Sequence, residues 1–152
     1  MIRTKLVESL DELMSLMPLF LDGYAAMNKK KKVFEVDIEG YTKTLVGVLN
    51  TAPKNSILVL YVDNEAVGFG VGFDETPAFA KQQEMLLWAL YVKPEFRGDL
   101  VVRLFEDGVQ VAKANGYSVL KAYNSRFTGG MYRFFEQKLG MRRNRVQFNY
   151  NL

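Results

Sequence analysis

Between Met85 and Val92 the chain reads Met-Leu-Leu-Trp-Ala-Leu-Tyr-Val, apolar at every position. Successive side chains of a strand point to opposite faces, so this run has no face to give to water. It fits a central strand covered on both sides. The turn Lys93-Pro94-Glu95-Phe96-Arg97-Gly98 follows. A helix is then predicted over residues 99–115, with Leu100, Leu104, Phe105, Val111 and Ala112 as its buried stripe. Gly116 stands where helices favour glycine as a terminator. Residues 118–123 are the next predicted strand. Strand, helix and strand make a β-α-β unit, which requires parallel neighbours.

The remaining elements are read around that unit. Residues 56–62 and 66–73 are two β-rich runs flanking Asp63-Asn64-Glu65, a hairpin. In the second run Gly68, Gly70 and Gly72 alternate and bare one face. That leaves room either for a helix packed on the sheet or for close approach by a backbone or ligand. Residues 1–7 form a short predicted strand. Ser9-Leu10-Asp11-Glu12 has the spacing of a capping box, opening a helix with Leu10, Leu13, Met14, Met17 and Phe20. Pro18 sits where that helix should kink or end. A second helix is predicted from Asp37, with Ile38, Tyr41, Leu45 and Val48 on one face, stopping by Pro53. Downstream, Thr128-Gly129-Gly130 breaks the chain before a helix over 131–138, which Gly140 ends, and residues 142–152 alternate as a last strand. The order βααβββαβαβ predicts an α/β fold, a central mixed sheet flanked by helices, in one domain over 1–152.

The chain has no Cys and no His. Disulfides, thiolate metal sites and any triad built on His are excluded, and the commonest metal ligand is missing. The opening Met1-Ile2-Arg3-Thr4-Lys5 lacks a signal-peptide apolar run, and no stretch reaches the ~18 apolar residues of a membrane span. A cytoplasmic protein with no membrane partner is expected. A net charge of +3 does not argue for a nucleic-acid partner. Lys29-Lys30-Lys31-Lys32 is either a solvated loop or a lure for an acidic acceptor or nucleic acid, and Arg142, Arg143 and Arg145 add charge near the carboxy terminus. The aromatics fall in the core pattern, which leaves no base-stacking platform.

Two segments carry a family resemblance: Leu90-Tyr91-Val92-Lys93-Pro94-Glu95-Phe96-Arg97-Gly98 and Phe134-Phe135-Glu136-Gln137-Lys138-Leu139-Gly140-Met141. With the element order, they resemble the GCN5-related N-acetyltransferases. The first is similar to that family's strand and acetyl-CoA loop, the second to its late F-Y-E-K-L-G-F segment. The match spans residues 56–152; before that it rests on element order. The resemblance implies an acyl-CoA N-acyltransferase-like fold, acetyl-CoA as cofactor, and acetyl transfer to a primary amine on a small molecule or a protein. It implies cofactor contacts from Leu90, Tyr91, Val92, Arg97, Gly98, Asp99, Leu100, Val101, Val102 and Arg103, with Asn124 beside the pantetheine arm. The physical reason is that a helix amino terminus offers unpaired N–H groups and a positive dipole end to phosphate. The family pattern R-x-x-G-x-G/A falls on Arg97, Leu100 and Val102, so both small positions hold large side chains, and Asp99 adds a negative charge. Such bulk either blocks close approach or, turned into the core, leaves the amides open.

Acetyl transfer needs an amine deprotonated and a leaving thiolate protonated. Where the family carries a Glu on its central strand, this chain has Leu86-Leu87-Trp88-Ala89. Glu84 is the nearest carboxylate, a base or an exposed loop charge. The family's Tyr acid falls near Phe135, which has no proton to give. Tyr132, one helical turn earlier, is the candidate acid, with Tyr91 and Tyr123 further off. Trp88 is expected in the core or beside the cofactor path. Three functions remain open: an acetyl-CoA-dependent N-acetyltransferase, a degenerate member of the fold that binds a protein or assembly partner, and a weakly basic nucleic-acid-associated module. Arg97-Gly98, Asn124 and the glycine-rich strand favour the first. Leu100 and Val102 favour the second, and only the lysine run supports the third.

Overall fold

The computed structural model describes residues 1–28, 37–122 and 133–142. Its strands are β1 (Ile2–Leu6), β2 (Ser56–Val62), β3 (Glu65–Asp74), β4 (Glu84–Val92) and β5 (Val119–Lys121). They lie in one sheet in the order β1-β2-β3-β4-β5. The first four pair antiparallel, and β4 pairs with β5 in parallel. The apolar run is thus an interior strand of a mixed sheet, as its composition requires. Between β4 and β5 the chain crosses through α4 (Asp99–Ala114), which ends before Gly116 at φ +86°. The two residues of the β2–β3 turn, Asp63 and Asn64, both have positive φ, the geometry that matches the right-handed twist of hairpin strands.

The amino-terminal helix is two helices, α1 (Leu10–Ser15) and α2 (Met17–Asn28), broken at Leu16. Proline has no N–H, and its ring clashes with the carbonyl four residues earlier, so Pro18 is tolerated only in a new first turn. Leu16 closes α1 by donating to Glu12 and Leu13, and its own carbonyl accepts from Leu19 and Phe20 to open α2. Ser9 caps α1 through Glu12 N at 3.1 Å, but the Glu12 carboxylate accepts from Glu8 N, one residue outside the expected box. Leu13 and Phe20 are buried; Leu10 and Met14 are exposed, so the buried stripe is narrower than the sequence suggests. Asp37 caps α3 (Ile38–Asn50) through Gly40 N at 2.6 Å. Tyr41, Leu45 and Val48 are buried there, while Ile38 is exposed.

The sheet has a core on each face. Phe20, Tyr41, Leu45, Val59, Phe69, Val71 and Ala89 pack on the side of α1, α2 and α3. Leu58, Leu60, Val67, Val92 and Leu104 pack on the side of α4. The alternating glycines of β3 serve backbone and side-chain crowding together. A Cβ at Gly68 would stand 2.7 Å from the Tyr91 carbonyl oxygen, and one at Gly72 2.6 Å from Met85 Sδ. Gly70 and Gly72 line a small apolar cavity of about 40 Å³ beneath Leu104, Phe105 and Gly108 of α4.

The described part of the late helix is a π-helical turn, Phe134–Lys138, in which Leu139 N donates to Phe134 O at 3.1 Å. Gly140 follows at φ +65°. The lysine run, Tyr123, Asn124, the Thr128-Gly129-Gly130 break, Tyr132, Arg143, Arg145 and the last predicted strand lie outside the described residues. Among those described, no helix is long and apolar enough to cross a membrane.

Candidate functional site

The centre of the sheet is irregular at one place. Along β3 and β4 the register runs Gly70 to Leu90, Val71 to Ala89, then Gly72 to Leu87. Trp88 therefore has no partner on β3: it is the extra residue of a β-bulge, which takes backbone groups out of the ladder. On the other edge of β4, pairing with β5 covers only Glu84, Met85 and Leu86. Beyond Leu86 the two parallel strands are no longer paired among the described residues. Among the described residues, the bulge and this parting leave a notch in the sheet beside Trp88. The indole ring lies on the α3 side, stacked on Phe73 at 5.2 Å and tilted against Tyr41 at 5.6 Å. It is partly buried.

From the notch β4 leads to the turn before α4. Pro94–Phe96 is one 3₁₀ turn, and Arg97 folds back to donate from Nε to Val92 O at 3.0 Å. Gly98 adopts φ +108° and ψ −127°, a conformation open in practice to glycine alone. No side chain caps α4. Val101 N donates to Gly98 O at 3.1 Å, whereas the amides of Gly98, Asp99 and Leu100 meet no acceptor among the described residues. These are the orphan donors of a helix start, aimed outward along the dipole. Leu100 and Val101 pack on the core cluster beneath the sheet, so Leu100 is turned away from those amides. Val102 is half-exposed. Arg103 pairs with Asp107 at 2.9 Å, and the same carboxylate oxygen accepts from Thr4 Oγ1. Arg97 meets no carboxylate among the described residues. Among the described residues, an anionic group finds three open amides, a guanidinium without a carboxylate partner and no Cβ at Gly98; Asp99 opposes it.

The acid–base candidates are less favourably placed. Glu84 opens β4, about 13 Å from Trp88 at the usual rise of a strand. Its carboxylate accepts from Lys121 Nζ at 3.0 Å, and its backbone is tied to Thr76. It is neither an exposed loop charge nor a free base. Phe135 is half-buried and offers no proton. Tyr91 packs on Phe69 at 5.8 Å, and burial, reinforced by the Asp22 carboxylate, pushes its phenol up against the pull of Arg97. Tyr41 is fully buried and donates to Phe20 O at 2.8 Å; burial raises its pKa too.

Two features escaped the sequence reading. The bulge has no residue signature in a strand that is apolar on both faces. Tyr117 lies 2.8 Å from Lys54 O and 3.0 Å from Asp74 Oδ2, and burial with that carboxylate pushes it up to about 12. It locks the end of α4 to the segment before β2 and has no proton to spare near neutrality.

The acetyltransferase (GNAT) family model matches residues 18–141. No curated protein matches the chain. A possible acetyltransferase from Clostridium difficile 630 superposes with a TM-score of 0.76 at 18% identity, over 99% of this chain and 97% of that one. A probable acetyltransferase gives 0.75 at 22% identity, over 99% and 96%. Glucosamine-6-phosphate N-acetyltransferase from Arabidopsis thaliana gives 0.71 at 14%, over 99% and 98%. At these identities the likeness is one of fold.

Proposed function

This chain belongs to the acetyltransferase (GNAT) family, and from that membership we propose that it is an acetyl-CoA-dependent N-acetyltransferase acting on a primary amine. The observation that carries the proposal is the start of α4. Gly98 stands at φ +108°, and among the described residues the amides of Gly98, Asp99 and Leu100 meet no acceptor and the neighbouring Arg97 meets no carboxylate. These groups would hold the pyrophosphate, with Val101, Val102 and Arg103 forming the turn around it. Leu90, Tyr91 and Val92, with Asn124, would line the pantetheine arm. Past Leu86 the edge of β4 has no strand partner among the described residues, and hydrogen bonds there would be of the kind an added strand accepts, which suits an extended chain bearing amides.

When bound, acetyl-CoA supplies the acetyl group as a thioester. The chain's own part is positioning and proton handling. The notch at Trp88 holds the acceptor nitrogen against the edge of β4, and much of the rate of such a transfer can come from orientation. Tyr132 is the proposed donor of the proton that the departing sulfur needs, since Phe135 cannot supply it. Glu84, tied to Lys121, is the second candidate and keeps a structural role here. The bulky Leu100 that favours a non-catalytic binding module is turned into the core, which removes half of that reading's support. The test is thiol release from acetyl-CoA with primary amines, comparing the wild-type protein with Tyr132→Phe. Amine-dependent release that the variant loses is expected; release with no amine at any concentration contradicts the proposal.

A further inference from the structure

We infer that the acceptor is a small primary amine carried on an aromatic body, received by a row of rings that leads away from the bulge. The inference rests on the acetyltransferase reading above. The row runs Phe73, Trp88, Tyr41, Tyr24, with centroids 5.2, 5.6 and 5.2 Å apart in turn. Tyr41 is fully buried and fixed by its bond to Phe20 O, so it anchors the others. Phe73, Trp88 and Tyr24 each keep part of their surface in water.

Which side of the sheet an acceptor can use follows from the packing. On the α4 side, Leu90 and Val92 lie against Leu100, Leu104 and Val111. That side is closed by the helix. Trp88 projects on the other side, from the position within β4 that the β3 register skips. An acceptor reaching the notch from there lies against the indole ring first.

The chemistry of the row selects among amines. An aromatic ring stacks on partly exposed rings at centroid separations of about 4.5–7 Å, and an ammonium is drawn to the same ring faces. The indole N–H of Trp88 donates to nothing among the described residues and could serve a ring or a polar substituent of the acceptor. A polycation needs carboxylates instead. Glu75 and Glu84, the acids at the far end of β4, both close on Lys121.

Trp88 is the single tryptophan of the chain, so its emission reports on the row without any cofactor. The test uses the whole protein, excitation of Trp88, and three probes: 2-phenylethylamine, ethanolamine and spermidine. A saturable change with 2-phenylethylamine is expected, with none from the other two. In thiol release from acetyl-CoA, the KM for 2-phenylethylamine should lie about ten-fold or more below that for ethanolamine. Tyr24→Leu should raise that KM, and Tyr24→Phe, which keeps the ring, should restore it. A Trp88 emission indifferent to 2-phenylethylamine, or a preference for spermidine or ethanolamine, overturns the inference. Absence of thiol release with all three amines counts instead against the acetyltransferase reading, while the Trp88 signal still decides whether the row binds aromatic amines.

Discussion

Arg97 donates from Nε to the carbonyl oxygen of Val92 at 3.0 Å, across the turn that joins β4 to α4. The bond ties the guanidinium to the end of the strand and leaves its other nitrogens out of that contact. A planar guanidinium fixed at one nitrogen loses little further freedom when it binds an anion. On the proposed function, the turn would meet a negative group with one guanidinium nitrogen already fixed.

Gly98→Ala tests that arrangement at the backbone. A Cβ at Gly98 would meet nothing within 4 Å, so any cost comes from φ +108° alone. Holding a non-glycine residue there costs about 1–3 kcal/mol. The variant should unfold at lower denaturant and bind acetyl-CoA more weakly, because a relaxed turn swings the amides away. Unchanged stability and affinity together would show that the turn tolerates another geometry.

Leu100 and Val102 should separate. Leu100 packs beneath the sheet, and Leu100→Gly removes that contact and adds the helix penalty of glycine, about 1–3 kcal/mol in all. Val102 is half-exposed at the mouth of the turn. Val102→Ala should leave the melting temperature nearly unchanged and tighten acetyl-CoA. No gain in a folded Val102→Ala protein means that this side chain does not obstruct the site.

Tyr132→Phe should lose about 100-fold or more in turnover with little change in acetyl-CoA affinity, as removal of a positioned acid does. Glu84→Gln should leave turnover nearly intact. It breaks the half-buried ion pair with Lys121, so about 1 kcal/mol of stability should go instead. Steady-state kinetics beside denaturant melts separates the two outcomes. Full turnover in Tyr132→Phe would place the proton donor elsewhere.

Much of this architecture was legible in the residues. The eight apolar positions from Met85 to Val92 read as a central strand, and Pro18 marked the break between α1 and α2 within two residues. Helical spacing placed Leu100 in the same stripe as Leu104, and Leu100 does pack on that core. The bulge was invisible because hydrophobic alternation locates one only when the faces differ, and both faces of β4 are apolar. Glu84 could not be paired from sequence: Lys121 reaches it through the parallel register of β5, set by the long crossover over residues 93–118. Ile38 fitted the α3 face by spacing but lies in its first turn, beyond the reach of the core.

The Tyr117 lock gives a pH dependence with a definite sign. Its pKa is 10.0 when free and about 12 in the fold, so between those values the unfolded chain has lost the proton and the folded one has kept it. Stability falls as pH rises wherever the native state binds more protons. Buried Tyr41, also raised, acts in the same direction. Asp74 has its opposite: hydrogen bonding from Thr76 and from Tyr117 holds its carboxyl below the usual range, and that contribution is lost as pH falls through the depressed value. Urea midpoints at pH 9 and pH 11 should differ more in the wild type than in Tyr117→Phe. Equal differences would mean that Tyr117 titrates as it does in water.

The most direct test of the account is a calorimetric titration of the wild-type protein with acetyl-CoA at millimolar concentration, run beside a thermal melt and beside Arg97→Ala. Saturable heat, a raised melting temperature, and weaker binding in the variant that eases further as salt is added are expected from a pyrophosphate held at the start of α4. No heat and no thermal shift with the wild type, or full affinity in Arg97→Ala, would contradict it.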